Sequence, residues 1–173
     1  MKHSIARIQA TRLLAVLAVL TGLAACEAAS EGSASMSGGN ALHLDVYKSP
    51  SCGCCGGWID HLDPAEFRVA VHDLDDLAPV KAKHGIAAEY QSCHTAVADG
   101  YFFEGHVPAR FVKRFLAHPP EGAVGLSVPG MPVGSPGMES GSRFTPYQVL
   151  QINSDGTTAV YAEVAKREDQ IDS

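Results

Sequence analysis

Three cysteines fall within four positions in Ser51-Cys52-Gly53-Cys54-Cys55-Gly56-Gly57. Cys52 and Cys55 form a C-x-x-C pair, Cys52 and Cys54 a C-x-C pair, and Cys54 and Cys55 are adjacent. A dithiol redox centre needs one attacking and one resolving thiol, so the third is surplus to it. A polynuclear metal site has a use for it, because one thiolate sulfur can bridge two soft ions. Thiolates select Cu(I), zinc and iron–sulfur clusters. The plainer alternative is one disulfide with a spare cysteine, although adjacent cysteines make poor simple staples.

Cys93-His94 is a second station. Cys93 offers a fourth sulfur, and His94 a nitrogen ligand or an outer hydrogen-bond donor. A disulfide from Cys93 to the first motif would use the same proximity. His106, in Gly105-His106-Val107-Pro108, follows the hairpin that starts at Cys93 and is expected near the metal. Pro129-Gly130-Met131-Pro132 is echoed by Pro136-Gly137-Met138-Glu139. Thioether suits Cu(I) and does little for zinc, so Met131 and Met138 read as a lid over the cluster; loop methionines also commonly just cap apolar surface. His43, His61, His72, His84 and His118 receive no role, and Trp58 and Tyr101 read as core.

These residues need elements to position them. Leu42, Leu44 and Val46 alternate with His43 and Asp45 as a strand. The cysteine turn follows it and opens a helix carrying Trp58, Ile59 and Leu62 on one face, closed by Pro64. A helix start has free N–H groups and a positive dipole, which favour thiolate over thiol. Phe67, Val69 and Val71 form a second strand. Asp75 or Asp76 caps a helix through Leu77, Val80 and Lys83 that Gly85 ends. Residues 95–98 and 101–104 flank Asp99-Gly100, a two-residue hairpin signal. Val107-Pro108 opens a helix with Phe111/Phe115 and Val112/Leu116 pairs, stopped by Pro119-Pro120. The order β-α-β-α-β-β-α predicts an α/β, thioredoxin-like fold with a four-stranded mixed sheet flanked by helices. A Pro/Gly/Met-rich loop (122–141) and a C-terminal hairpin around Asp155-Gly156 follow it.

The N-terminus reads as a targeting segment. Lys2, Arg7 and Arg12 precede a short apolar run, and Leu23-Ala24-Ala25-Cys26 resembles the bacterial lipoprotein box, with Cys26 the lipidated residue. The domains are thus a lipoprotein-type signal peptide (1–25), a Ser/Gly/Ala-rich flexible tether (26–41), the thioredoxin-like metal-binding domain (42–165) and a charged, frayed tail (166–173). Removing residues 1–25 takes away three basic residues and no acid, moving the formal charge from −6 to −9. That surface is compatible with cations, and no basic stretch follows the leader, so no nucleic-acid partner is expected.

Tyr47-Lys48-Ser49-Pro50-Ser51-Cys52-Gly53-Cys54-Cys55, Ser92-Cys93-His94-Thr95, Glu104-Gly105-His106-Val107-Pro108 and the two Pro-Gly-Met segments together resemble the CopG-type bacterial copper-resistance family. The resemblance runs from about residue 42 to about residue 160. It implies a periplasmic protein of thioredoxin-like fold holding several Cu(I) ions in a cysteine-bridged site. It also implies association with other periplasmic copper-resistance proteins, and leaves open whether the chain turns over as a copper oxidoreductase. The lipobox departs from that pattern by adding a membrane anchor. Two other functions share these residues: a thiol–disulfide oxidoreductase using Cys52 and Cys55, and a zinc-stabilised module without catalysis.

Overall fold

The computed structural model describes residues 41–64 and 66–172. The leader, Cys26 and the tether up to residue 40 lie outside them. Among the described residues, no helix is long and apolar enough to cross a membrane.

β1 (Leu42–Lys48) buries Leu44 and Val46 completely and runs into the cysteine turn. α1 (Gly53–Asp60) starts there, and β2 (Phe67–Asp73) returns parallel to β1, register Leu42 to Phe67. At the start of α2 (Ala78–Lys83) the Ala78 N–H donates to Asp76 Oδ1 at 2.9 Å, and Gly85 leaves the helix with φ +66°. β3 (His94–Ala98) lies antiparallel to β1 and pairs with β4 (Tyr101–Gly105) through the Asp99-Gly100 turn. Both turn residues have positive φ, 51° and 84°, as the two-residue hairpin requires. α3 (Ala109–Ala117) then buries Phe111, Val112 and Phe115.

The sheet does not stop at four strands. β5 (Ala123–Val128), β6 (Tyr147–Asn153) and β7 (Thr158–Val164) extend it to seven among the described residues, in the order β2-β1-β3-β4-β5-β6-β7. The expectation of four is corrected here, and so is the start of the loop. β5 occupies the first part of the segment read as Pro/Gly-rich loop. Its buried run, Ala-Val-Gly-Leu-Ser-Val, lacks period-two alternation because it is a central strand pairing parallel with β4 and antiparallel with β6. Gly125 belongs there for space: a Cβ would lie 2.2 Å from the Phe102 carbonyl oxygen. The expected C-terminal hairpin is present as β6 and β7, but as part of this sheet.

Phe102 and Phe103 point to opposite faces and mark two cores. One face holds Phe103 with Leu44, Val46, Trp58 from α1 and Phe111, Val112 and Phe115 from α3. The other holds Phe102 with Ile86 and Ile152. α1 and α3 therefore share one side, which brings the cysteine turn next to the β4–α3 junction at His106.

The C-terminal segment read as frayed forms a 3₁₀ turn, Arg167–Gln170, with Gln170 buried. Gln170 Nε2 donates to the Gly134 carbonyl at 3.1 Å and Tyr147 Oη donates to Gln170 Oε1 at 2.7 Å. This segment holds the glycine-rich loop instead of fraying, because its charged residues flank one amide that the loop satisfies.

Candidate metal centre

Cys52 occupies the N-cap of α1, so Cys54 and Cys55 lie in its first turn. Cys55 is fully buried, and its sulfur lies 3.8 Å from the Cys93 carbonyl oxygen. Cys52 Sγ lies 3.5 Å from Cys54 Sγ. One donor atom from each of Cys52, Cys54, Cys55 and Cys93 lies within 4.8 Å of the others. A second group, Cys93, His94 and His106, meets the same limit. The site expected from two distant stretches of sequence is brought together, with Cys93 in both groups.

Cys52 and Cys55 are joined by a disulfide, while Cys54 and Cys93 are free. The plainer of the two sequence readings, one bridge in the C-x-x-C pair, is the covalent state found here. Two of the expected ligands are thus unavailable to a metal until that bond is reduced.

Cys93 is not an easily ionised thiol. Burial, and then the neighbouring Cys54, push it up to about 12. A soft cation must displace this proton, so metal loading should release acid.

His106 is fully buried, and its Nδ1–H donates to the Pro136 carbonyl at 2.7 Å. That bond leaves Nε2 facing Cys93 Sγ at 3.0 Å. Fixing one ring nitrogen to orient the other is how proteins present imidazole to a metal. His94 Nδ1 lies 3.4 Å from Cys93 Sγ. The His94 ring is held by Trp58 at 4.6 Å and by the edge of His106 at 5.1 Å, and its Nε2 makes no hydrogen bond of ordinary geometry. Burial lowers both histidines; His94 falls to about 3, with His106 and Lys81 adding to the effect. Both are neutral, the ligating form.

This has a consequence for acid stability. Folded His94 refuses a proton down to about 3, whereas the unfolded chain accepts one near 6.5. Stability is therefore complete above 6.5 and falls as pH drops toward 3, by up to about 1.4 kcal/mol per unit. Urea unfolding at pH 7 and pH 5 should show a loss of about 2 kcal/mol that a His94→Asn variant lacks. Equal pH dependence in both proteins would refute it.

Both Pro-Gly-Met copies border the site through their backbone. The Gly130 carbonyl accepts from Ser92 Oγ beside Cys93, and Met131 next to it is 51% exposed. Gly137 lies so close to α1 that a Cβ would sit 2.4 Å from the Trp58 nitrogen and 2.5 Å from the Cys54 carbonyl oxygen. Glu139, after the half-buried Met138, binds His61 Nε2 at 2.7 Å and accepts from the Gly137 N–H at 3.1 Å. His61, given no role from sequence, thus helps clamp the loop. Trp58 Nε1 donates to the Val107 carbonyl at 2.8 Å, tying α1 to the residue after His106.

Sequence reasoning missed the support beneath Cys93. Glu104 on β4 is fully buried and ion-paired to Lys81 of α2. It also accepts from Thr95 Oγ1 and from the Ser92 N–H, each at 2.6 Å. The available signal was a carboxylate inside the apolar strand Tyr101–Gly105, a residue type that is rarely buried unless paired.

The fold and the site define a mixed α/β protein that carries a cysteine–histidine cluster able to bind metal. A family model described as "Protein of unknown function, DUF411" matches residues 90–138. Two solved structures, titled "Copper resistance protein copG- Form 2" and "Form 1", are each 44% identical with TM-scores of 0.68. They cover 72% and 73% of this chain and 98% and 99% of their own. Comparison with curated proteins gives no match. The chain belongs to the CopG family.

Proposed function

We propose that this protein binds copper for copper resistance, holding several Cu(I) ions in a cysteine-bridged site when its thiols are reduced. The carrying observation is that four sulfurs from Cys52, Cys54, Cys55 and Cys93 converge within 4.8 Å. Four thiolates crowded between the start of α1 and the start of β3 repel one another, and soft monovalent ions that share sulfurs relieve that repulsion. Copper is the cargo, and the chain's part is to arrange donors. His94 and His106 offer neutral nitrogens, Pro136 fixes the His106 ring, and the Met131 and Met138 loop lies against the site as its lid. The relatives titled copper resistance proteins support the choice of copper over zinc.

The order β2-β1-β3-β4, with α1 between the parallel pair, supports a thioredoxin-like core to which β5, β6 and β7 are added. Leu23-Ala24-Ala25-Cys26 supports export to the periplasm and anchoring through Cys26. Other periplasmic copper-resistance proteins are the partners that fit.

X-ray absorption on anaerobically reduced, Cu(I)-loaded protein is the test. We expect sulfur-dominated ligation and a short copper–copper distance; nitrogen and oxygen ligation alone, or substoichiometric copper, would sink the proposal.

The closed Cys52–Cys55 bond favours one other reading, a thiol–disulfide oxidoreductase. Robust insulin reduction by metal-free protein, kept in Cys54→Ser, would support it over copper binding.

A further inference from the structure

We propose that a cavity walled by the loop at 136–139, the start of α3 and the C-terminal 3₁₀ turn docks a basic, partly apolar segment of a partner protein. The cavity has a volume of about 590 Å³, within the ordinary range for sites that take a ligand. Pro136 and Glu139 line it from the loop, Ala109 and Arg110 from α3, and Gln170 and Ile171 from the C-terminal segment. None of these is a donor of the cysteine–histidine cluster.

The charges of the lining select the occupant. Five carboxylates border the cavity, from Asp63, Glu66, Glu139, Glu168 and Asp172, against the two guanidiniums of Arg110 and Arg167. Both guanidiniums are spent on the protein itself. Arg110 donates to the Asp169 and Ile171 carbonyls, and Arg167 to the Gly141 and Arg143 carbonyls. Lys113 answers Glu66 and Asp172, and His61 answers Glu139. Glu168 is exposed and has no ion pair among the described residues. The charge left over at the rim is therefore negative, and a cation is the complementary partner.

The walls exclude a bare cation as the preferred occupant. Ile171 is 63% exposed and lines the cavity together with Ala109 and Pro136. These side chains give an incoming apolar group area to bury, which a polyamine or a hydrated metal ion does not use. A lysine beside an aliphatic residue uses both features. Docking there also touches the loop whose Pro136 carbonyl orients His106, so a partner seated in the cavity is in contact with the wall of the metal site.

The test uses the full chain in a Cys26→Ser background, metal-free, with amide shifts followed by NMR during titration with the blocked peptide Lys-Leu-Lys-Ala-Lys. Copper is absent, so the result is independent of the copper reading. We expect saturable shifts confined to the residues bordering the cavity. Glu168→Lys, at an exposed position, should weaken binding by about tenfold. Glu121→Lys, equally exposed but beyond the opposite end of α3, should not. Spermidine and the peptide Glu-Leu-Glu-Ala-Glu should bind more weakly than the lysine peptide. No saturable shift up to about 1 mM peptide would overturn the proposal. So would shifts spread over the whole acidic surface, equal affinities for Glu168→Lys and Glu121→Lys, or spermidine binding as tightly as the peptide.

Discussion

Cys93→Ser should lower the Cu(I) affinity of the reduced protein by roughly hundredfold or more, a larger loss than removing Cys54. Loss of an outer-shell partner alone commonly costs 10–100-fold in metal affinity, and Cys93 is a direct donor candidate. Its sulfur belongs to both converging groups, so its removal leaves three sulfurs on one side and two imidazoles with no thiolate on the other. Cys54 serves only the first group. Cys93 also starts from a thiol pushed up to about 12 by burial and by Cys54. Loading the native protein must therefore eject that proton, and the serine variant should release fewer protons per copper. Competition against a chromophoric Cu(I) chelator gives the affinity, and a pH indicator in weak buffer gives the protons. Equal affinities for Cys93→Ser and Cys54→Ser would remove Cys93 from the centre of the site.

Glu104→Ala should destabilise the fold by about 3–5 kcal/mol, the usual cost of stripping one partner from a buried ion pair. Its carboxylate is fully buried and answers three donors at once: Lys81 Nζ, Thr95 Oγ1 and the Ser92 N–H. Alanine would leave the Lys81 ammonium, whose side chain is 7% exposed, without its counterion. Against a typical domain stability of 5–15 kcal/mol, that loss is large. The double variant Lys81→Met/Glu104→Leu removes both charges and should recover most of the stability, because apolar replacement of a buried pair is often neutral. It should not recover the site. Ser92 precedes Cys93, and without Glu104 nothing accepts the Ser92 N–H. Copper affinity should therefore stay low in the double variant while its urea midpoint returns. If Glu104→Ala cost under about 1 kcal/mol, the pair would not be holding this end of the sheet.

The sequence by itself determined the elements around the site. Alternation in 42–46, the Asp99-Gly100 turn and the paired phenylalanines of α3 are local signals, and local sterics and burial periodicity set them. The cysteine turn at a helix start was equally legible, because strand, turn chemistry and apolar face follow one another along the chain. The proximity of Cys93, His94 and His106 to that turn followed from strand order. Only the tertiary structure decided the rest. β5 is hidden in sequence because a central strand buried on both faces loses its alternation, and Gly125, needed for the approach of Phe102, reads as a loop residue. The Lys81–Glu104 pair joins a helix and a strand 23 positions apart, and no local pattern couples two charges at that distance. The docking of Gln170 on Gly134 is invisible for the same reason. The choice between thiolate cluster and C-x-x-C bridge is not written in spacing at all, since all four sulfurs lie close enough for either. It depends on how many electrons the site holds, which makes the covalent state a property of the folded, redox-poised molecule.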